Sequence, residues 1–221
     1  EVLTAHILDC MESTEGPDYV YTISVQGHGA YPDEELLEDP EIEVTGADTE
    51  EDNNKWEYYV NQVHEMDKFL GQLIKTLEED GEDTVLVMYG DHLPTMGLEV
   101  EDLNNRYLFQ TEYVIWDNIG LEKQDEDVAS YQMAAVVLDR LGIHEGNIFR
   151  YHQARRNTRN YQVDLETLQY DILYGEQYVY GGESPYERTD MRMGIHDLEF
   201  TEVRADTGVE GSYYIIGNYF T

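Results

Sequence analysis

Positive charge is the scarcest property of this sequence: thirteen Lys and Arg stand against 48 Asp and Glu, a formal net charge of −35 over 221 residues. Such a balance argues against a broad basic face for nucleic acid or an anionic membrane, since the counterion-releasing contacts that drive such binding come from Lys and Arg. Cysteine is nearly absent as well. The single Cys10 excludes an internal disulfide, and its place in an amphipathic run predicts a buried thiol. No stretch approaches the ~18 to 20 apolar residues of a membrane span, and no signal peptide opens the chain. Because it starts with Glu1 rather than Met, the chain reads as an excised segment whose leader or anchor lies upstream. G-x-S-x-G, the P-loop, the dinucleotide fingerprint and paired-cysteine zinc motifs are all missing. The acidic stretch Glu34 to Asp52 lacks the EF-hand spacing.

What is present is a folding sequence. Hydrophobic residues make up 41% and tyrosines number 19, too rich for a disordered acidic tail, so the expected molecule is a folded core under an acidic, solubilising shell. Residues 2–12 carry apolar side chains at one, three and four spacings, predicting a helix with one buried face that "STEGPD" stops. "YVYTISV", Tyr19 to Val25, has the β-branched and aromatic composition of a strand covered on both faces. An acidic surface loop is expected from Asp33 to Asn54. Then Trp56, Tyr59, Val63, Met66, Leu70, Leu73 and Leu77 recur every three or four residues, predicting a long amphipathic helix.

"TVLVMY" follows as a strand, so strand, helix and strand compose a βαβ unit with parallel strands. "TEYVIW" predicts another strand and Val128 to Gly142 another helix. "YHQARRNTRN" reads as a basic loop, "DLETLQYDILYG" as a short helix with Asp164 as N-cap, and "GSYYIIGNYFT" as a terminal strand. The fold class is therefore α/β, a mainly parallel sheet flanked by helices. Residues 1–175 are expected to form one domain part, and 176–221 an extension with short strands.

Ligands of open parallel sheets bind beyond the carboxyl ends of the strands. His28 follows the first predicted strand, and Asp91 with His92 follows the second, so all three fall on one edge. Neighbouring residues of a regular strand point to opposite faces, and Gly90 lets the chain turn so that Asp91 and His92 can close on one ion. Mixed oxygen and nitrogen donors suit manganese or zinc better than calcium. A buried Asp–His hydrogen-bonded pair capping the strand explains the same residues equally well. His28 sits between Gly27 and Gly29, where histidine is more often a turn residue than a functional one. His6, His64, His144, His152 and His196 read as structural. Arg150, Arg155, Arg156 and Arg159 could hold a phosphate, although pairing with nearby carboxylates is the commoner use of such arginines.

The segments "YTISVQGHGAYP", "YYVNQVHEMDKFLGQLIKTLEEDGEDTVLVMYGDHLP" and "TEYVIWDN" together resemble the sulfatase-like domain of the lipoteichoic acid synthase family, within the alkaline phosphatase superfamily. The resemblance runs in order over residues 17–174, and "DLETLQYDILYG" resembles the closing helix of clostridial-type members. It implies the C-terminal part of an alkaline phosphatase/sulfatase-like domain, incomplete at its N-terminus. Asp91 and His92 of the G-D-H motif would be ligands of a divalent ion, usually manganese, and His28 of the H-x-x-Y/P motif would face the substrate phosphate.

The implied enzyme is an extracellular phosphoglycerol transferase or phosphodiesterase. It would be anchored in a bacterial membrane by upstream helices and act on a phosphatidylglycerol-like lipid through a covalent threonine intermediate. The nucleophilic threonine and a further carboxylate ligand belong to earlier strands in that family and are not found here. The isolated segment is therefore expected to be inactive. A sulfatase, a phosphoethanolamine transferase and a non-catalytic extracellular module are the alternatives on the same fold.

Overall fold

The computed structural model describes residues 2–185 and the backbone of the strands Glu199–Val203 and Tyr214–Asn218. By contacts the chain gathers into two units, Glu1–Lys123 and Gln124–Thr221.

The first unit is organised on a long helix whose ends the sequence marks chemically. Helix α1 (Val2–Met11) comes first, and α2 (Glu50–Asp80) is the long one. Thr49 caps α2 by accepting the Asp52 N–H at 3.0 Å, and Glu50, Glu51 and Asp52 place negative charge on its positive N-terminal dipole. Gly81 closes it, its N–H returning to the Leu77 carbonyl. Leu73 and Leu77 are buried, each burial contributing about 1.5–3 kcal/mol. The expected apolar stripe is corrected in its middle, where Val63 is exposed and the polar Asn61 takes the buried position.

Asn61 is buried because it serves backbone. Its Oδ1 accepts the Ile42 N–H at 3.1 Å, and its Nδ2 donates to the carbonyls of Ile42 and Glu57, both at 2.8 Å. The same side of α2 supplies Glu57 to the Val44 N–H, Asn53 to the Ala47 N–H, and Asn54 to the Asp33 carbonyl. Glu41 bonds both His64 and Lys68, and Lys55 pairs with Asp33 at 2.9 Å. The acidic loop expected from Asp33 to Asn54 is corrected at its end, where Glu50–Asn54 form the first turn of α2, and the remainder is strapped along the helix, its unpaired backbone groups satisfied by a polar stripe.

Strand β1 (Val85–Tyr89) pairs with β2 (Tyr113–Asp117) in antiparallel register, from Val85 opposite Asp117 to Tyr89 opposite Tyr113. Asn118 pins one end, accepting the Thr84 N–H and donating to the Glu82 carbonyl. Among the described strands no parallel pair occurs, and Tyr19 to Val25 forms no strand. The expected βαβ unit is corrected accordingly. Composition marks Tyr19–Val25 as fit for a pleated, covered surface, but Tyr19, Tyr21, Ile23 and Val25 are all exposed. Residues 90–112, which join β1 to β2, hold a single 3₁₀ turn (Val100–Asp102) and no crossover helix, so they return the chain in the opposite direction. Cys10 is exposed rather than buried, because Leu3, Thr4, Ile7, Leu8 and Met11 form the covered side of α1 and Cys10 lies opposite with Ala5, His6 and Asp9.

The second unit begins with α3 (Met133–Arg140), preceded by a 3₁₀ turn at Ser130–Gln132. It ends in a Schellman motif, with the Gly142 N–H on Asp139 and the Ile143 N–H on Leu138. The first half of the expected basic loop belongs to helix α4 (Asn147–Arg155), which packs on α3 and turns His152 inward. Two arginines at its C-terminal end are spent on carboxylates: Arg156 grips Glu126 with two bonds and Arg155 meets Asp164 at 3.0 Å. Helix α5 (Tyr161–Leu173) is capped at Asn160, so Asp164 lies inside the helix rather than at its N-cap. The core here is Ala135, Val136, Tyr161 and Leu165 around His152, whose Nδ1 meets the Tyr161 hydroxyl at 2.6 Å. Burial holds the His152 imidazole below its ordinary pKa and pushes the Tyr161 hydroxyl above its own. Backbone strands β3 (Glu199–Val203) and β4 (Tyr214–Asn218) pair antiparallel, in keeping with the expected terminal strand. The rest of the extension beyond residue 185, His196 included, lies outside the described residues.

Candidate functional site

Two loops bring the motif residues together. The first is the turn after Val25, closed by the His28 N–H on the Val25 carbonyl at 3.0 Å. Gly27 and Gly29 flank it with φ of 79° and 122°, left-handed values that glycine alone adopts without strain. The turn is docked on α2 by Gln26, which donates to Gln62 at 2.5 Å, and the Tyr31 hydroxyl donates to the Gly27 carbonyl at 3.0 Å. Tyr31 is the tyrosine of the H-x-x-Y pattern, so that residue locks the histidine turn. Its own ring stands edge-on to Tyr59 of α2 at 5.7 Å.

The second loop leaves β1. Gly90 still bonds across the ladder to Glu112, and the Thr111 hydroxyl donates to the Gly90 carbonyl at 2.6 Å, which ends the strand there. Beyond that point Asp91 and His92 are no longer bound to opposite faces. The Asp91 carboxylate accepts the His92 N–H at 2.9 Å, and its second oxygen lies 3.7 Å from His92 Nε2. His92 Nδ1 donates to the Leu93 carbonyl at 2.8 Å. A carbonyl can only accept, so in the neutral ring the proton sits on Nδ1 and Nε2 keeps its lone pair.

The two loops meet: the rings of His28 and His92 stand edge to face with centroids 6.0 Å apart. The expected juxtaposition of His28 with the Asp91–His92 couple is present, although α2 and an antiparallel hairpin produce it rather than two parallel strands. Nearby, the Tyr89 and Tyr21 hydroxyls lie 3.4 Å apart, and this bond, helped by burial, raises the Tyr89 pKa.

Asp91 and His92 fit a divalent ion as part of a ligand set. The donors are one oxygen and one nitrogen lone pair, and bonds of ~2.1 Å span their separation. The Nδ1–carbonyl bond is the outer contact that orients a ligating histidine. Both side chains are exposed, so the buried-pair explanation of these residues does not describe them. Among the described residues no three His, Cys, Asp or Glu side chains gather for a metal.

A cleft of about 620 Å³ adjoins the site. Its walls are residues 29–31, which follow His28, and 95–98, which lie beyond His92 past Leu93 and Pro94, with the start of α2 and the end of the strapped loop. Tyr31, Trp56, Lys55, Asp48, Asp52 and Asp102 give it its chemistry. Nothing in their local sequence marks these residues as functional. Trp56 opens the apolar period of α2 and looks like core by spacing alone, and only its placement beside Asp52 and Lys55 hints otherwise.

Comparison with known proteins agrees with the motifs. One curated relative, a protein of Rhizobium meliloti (strain 1021) provisionally named a cyclic beta-1,2-glucan modification protein, is 23% identical over 220 aligned positions, covering 80% of this chain and 34% of its own length. The chain thus spans about a third of that relative. No solved structure gives a significant match. The sulfatase family model matches residues 1–143, well over half of the chain. That family has an α/β fold and divalent-metal enzymes acting on sulfate or phosphate esters. Motif, juxtaposed histidines and sequence match lead to one assignment: the chain belongs to the sulfatase family.

Proposed function

We propose that this chain is the C-terminal part of a metal-dependent phosphoglycerol transferase or phosphodiesterase of the lipoteichoic acid synthase type. The observation that carries the reading is the meeting of His28 with the Asp91–His92 couple, on the loops whose next residues line a cleft. Asp91 and His92 would hold a divalent ion, with manganese the proposed metal. Such an ion supplies Lewis-acid stabilisation of charge on a phosphoryl oxygen. His28 would bind a phosphoryl oxygen or hand a proton to the leaving oxygen, which its exposure and its distance from His92 permit. The nucleophile and the remaining ligand would lie outside these 221 residues. The substrate would be a phosphatidylglycerol-like lipid on the outer face of a bacterial membrane, held there by an upstream anchor. No helix of the described residues is long and apolar enough to cross a membrane.

The relative's name supports a second reading, in which the same transfer delivers its group to a glucan. The test uses the full-length protein with a fluorescent phosphatidylglycerol, a sulfate ester and a phosphoethanolamine lipid as donors. Cleavage of the first, and its loss in Asp91→Ala together with loss of the manganese paramagnetic resonance signal of the bound ion, is the expected result. Full activity of that variant would remove the proposal, and exclusive cleavage of the sulfate ester would replace it with a sulfatase.

A further inference from the structure

We infer that the cleft beside His28 and His92 is an acceptor subsite built for a neutral, polyhydroxylated ligand, an oligosaccharide, rather than for the charged ester itself. The inference rests on the transferase reading above and deepens it.

Charge decides first. Asp48, Asp52 and Asp102 line the cleft against a single cation, Lys55, which is already held by Asp33 at 2.9 Å and Asp52 at 3.7 Å. A phosphate or sulfate entering here meets net negative potential and no spare ammonium or guanidinium. A sugar meets the opposite situation. Its hydroxyls are donors, and carboxylates are acceptor-only groups able to take several of them. Asp48 has no hydrogen bond or ion pair to any described residue, and its side chain is exposed at the cleft wall.

The apolar faces of a sugar ring need a flat partner, and Trp56 and Tyr31 supply one. Both are half-buried, and each stands edge-on to Tyr59, at 6.0 Å and 5.7 Å, so they are oriented before any ligand arrives. The volume of about 620 Å³ lies in the range of small-ligand sites and far exceeds what one glycerol unit fills.

Position decides next. The wall 29–31 continues directly from His28, and the wall 95–98 belongs to the loop that leaves Asp91–His92, so an acceptor lying in the cleft extends towards those loops. In the transfer, the acceptor oxygen forms the new P–O bond as the bond from phosphorus to the departing oxygen breaks. The acceptor's hydroxyl proton passes to that departing oxygen, and no oxidant or reductant takes part.

The experiment is calorimetric titration of the full-length protein with neutral β-linked glucose oligosaccharides, with glycerol phosphate and inorganic phosphate as competitors. Saturable oligosaccharide binding is expected, weakened about tenfold by Trp56→Ala, less by Trp56→Phe, and about tenfold by Asp48→Ala. The phosphates are expected not to compete. Asp48 is exposed and unbonded, so Asp48→Ala keeps the test decisive should Trp56→Ala fail to fold. Absence of binding, wild-type affinity in Asp48→Ala, or displacement by phosphate would each overturn the inference. Asp91→Ala separates it from the catalytic proposal: turnover should vanish while oligosaccharide affinity stays at the wild-type value. Turnover surviving in Asp91→Ala refutes the catalytic reading, whereas turnover lost with no oligosaccharide bound by either protein refutes the subsite alone.

Discussion

Replacing Asn61 by alanine should release the strapped loop from α2. The side chain makes three hydrogen bonds, but they are not equal. The Glu57 carbonyl also serves the helix, so losing its extra donor costs little. The Ile42 N–H and C=O lose their partner, and each part-buried backbone group left unsatisfied costs about 1–3 kcal/mol. The loop can recover some of this by swinging out to water, at the expense of the Val44–Glu57 and Ala47–Asn53 bonds on either side. The expected loss is about 2 kcal/mol, a large share of a typical 5–15 kcal/mol total. Urea unfolding followed by circular dichroism measures it, and hydrogen exchange locates it at the Ile42 and Val44 amides. Asn61→Asp should be worse than alanine, because a carboxylate would face the carbonyls of Ile42 and Glu57. A loss under about 0.5 kcal/mol with the Ile42 amide still protected would refute the reasoning. Since the same loop supplies Asp48 to the cleft, oligosaccharide affinity should fall with it.

Two further outcomes test the second unit. Burial lowers the folded-state pKa of His152, so the unfolded chain takes up its proton first. The stabilisation is complete above the unfolded value of about 6.5 and is lost as pH falls from there through the depressed folded value. The urea midpoint of the wild type should therefore drop between about pH 7 and 5 relative to His152→Gln, and parallel profiles would contradict this. Gly175→Ala would place a Cβ 2.8 Å from the Asp171 Cα, a backbone atom that cannot yield, in a segment where Asp171 also holds the Tyr178 and Val179 amides. A loss of about 1–3 kcal/mol in thermal unfolding is expected, with faster exchange at those two amides. An unchanged melting temperature would show that the helix end shifts freely.

Individual elements show which parts of the structure were legible in the sequence. α2 was readable from Trp56 onward because its apolar residues repeat at helical spacing and Gly81 marks its end, whereas its first turn, Glu50–Asn54, was hidden in the acidic stretch, where charged residues carry no apolar period. The motif histidines were readable because Gly27, Gly29 and Gly90 announce where the chain leaves regular structure. α4 was hidden, since a segment running into Arg155, Arg156 and Arg159 without an apolar stripe looks like a loop until His152 is seen to pack inward. Asn61 was hidden for a related reason: a polar residue on a helix gives no sign that a distant loop needs its amide.

The residues alone established the acidic character, the helices of strong period, the strands Val85–Tyr89 and Tyr113–Asp117 in outline, and His28, Asp91 and His92 as the residues to watch. These follow from local chemistry, from periodicity, caps and turns acting within a few residues. Tertiary structure alone decided that β1 meets β2 antiparallel, that Tyr19–Val25 stays outside a sheet, and that two motif loops share the wall of one cleft. Strand direction and cleft formation depend on contacts between residues far apart in the chain, and β-branched composition carries no information about which partner, or which direction, satisfies it.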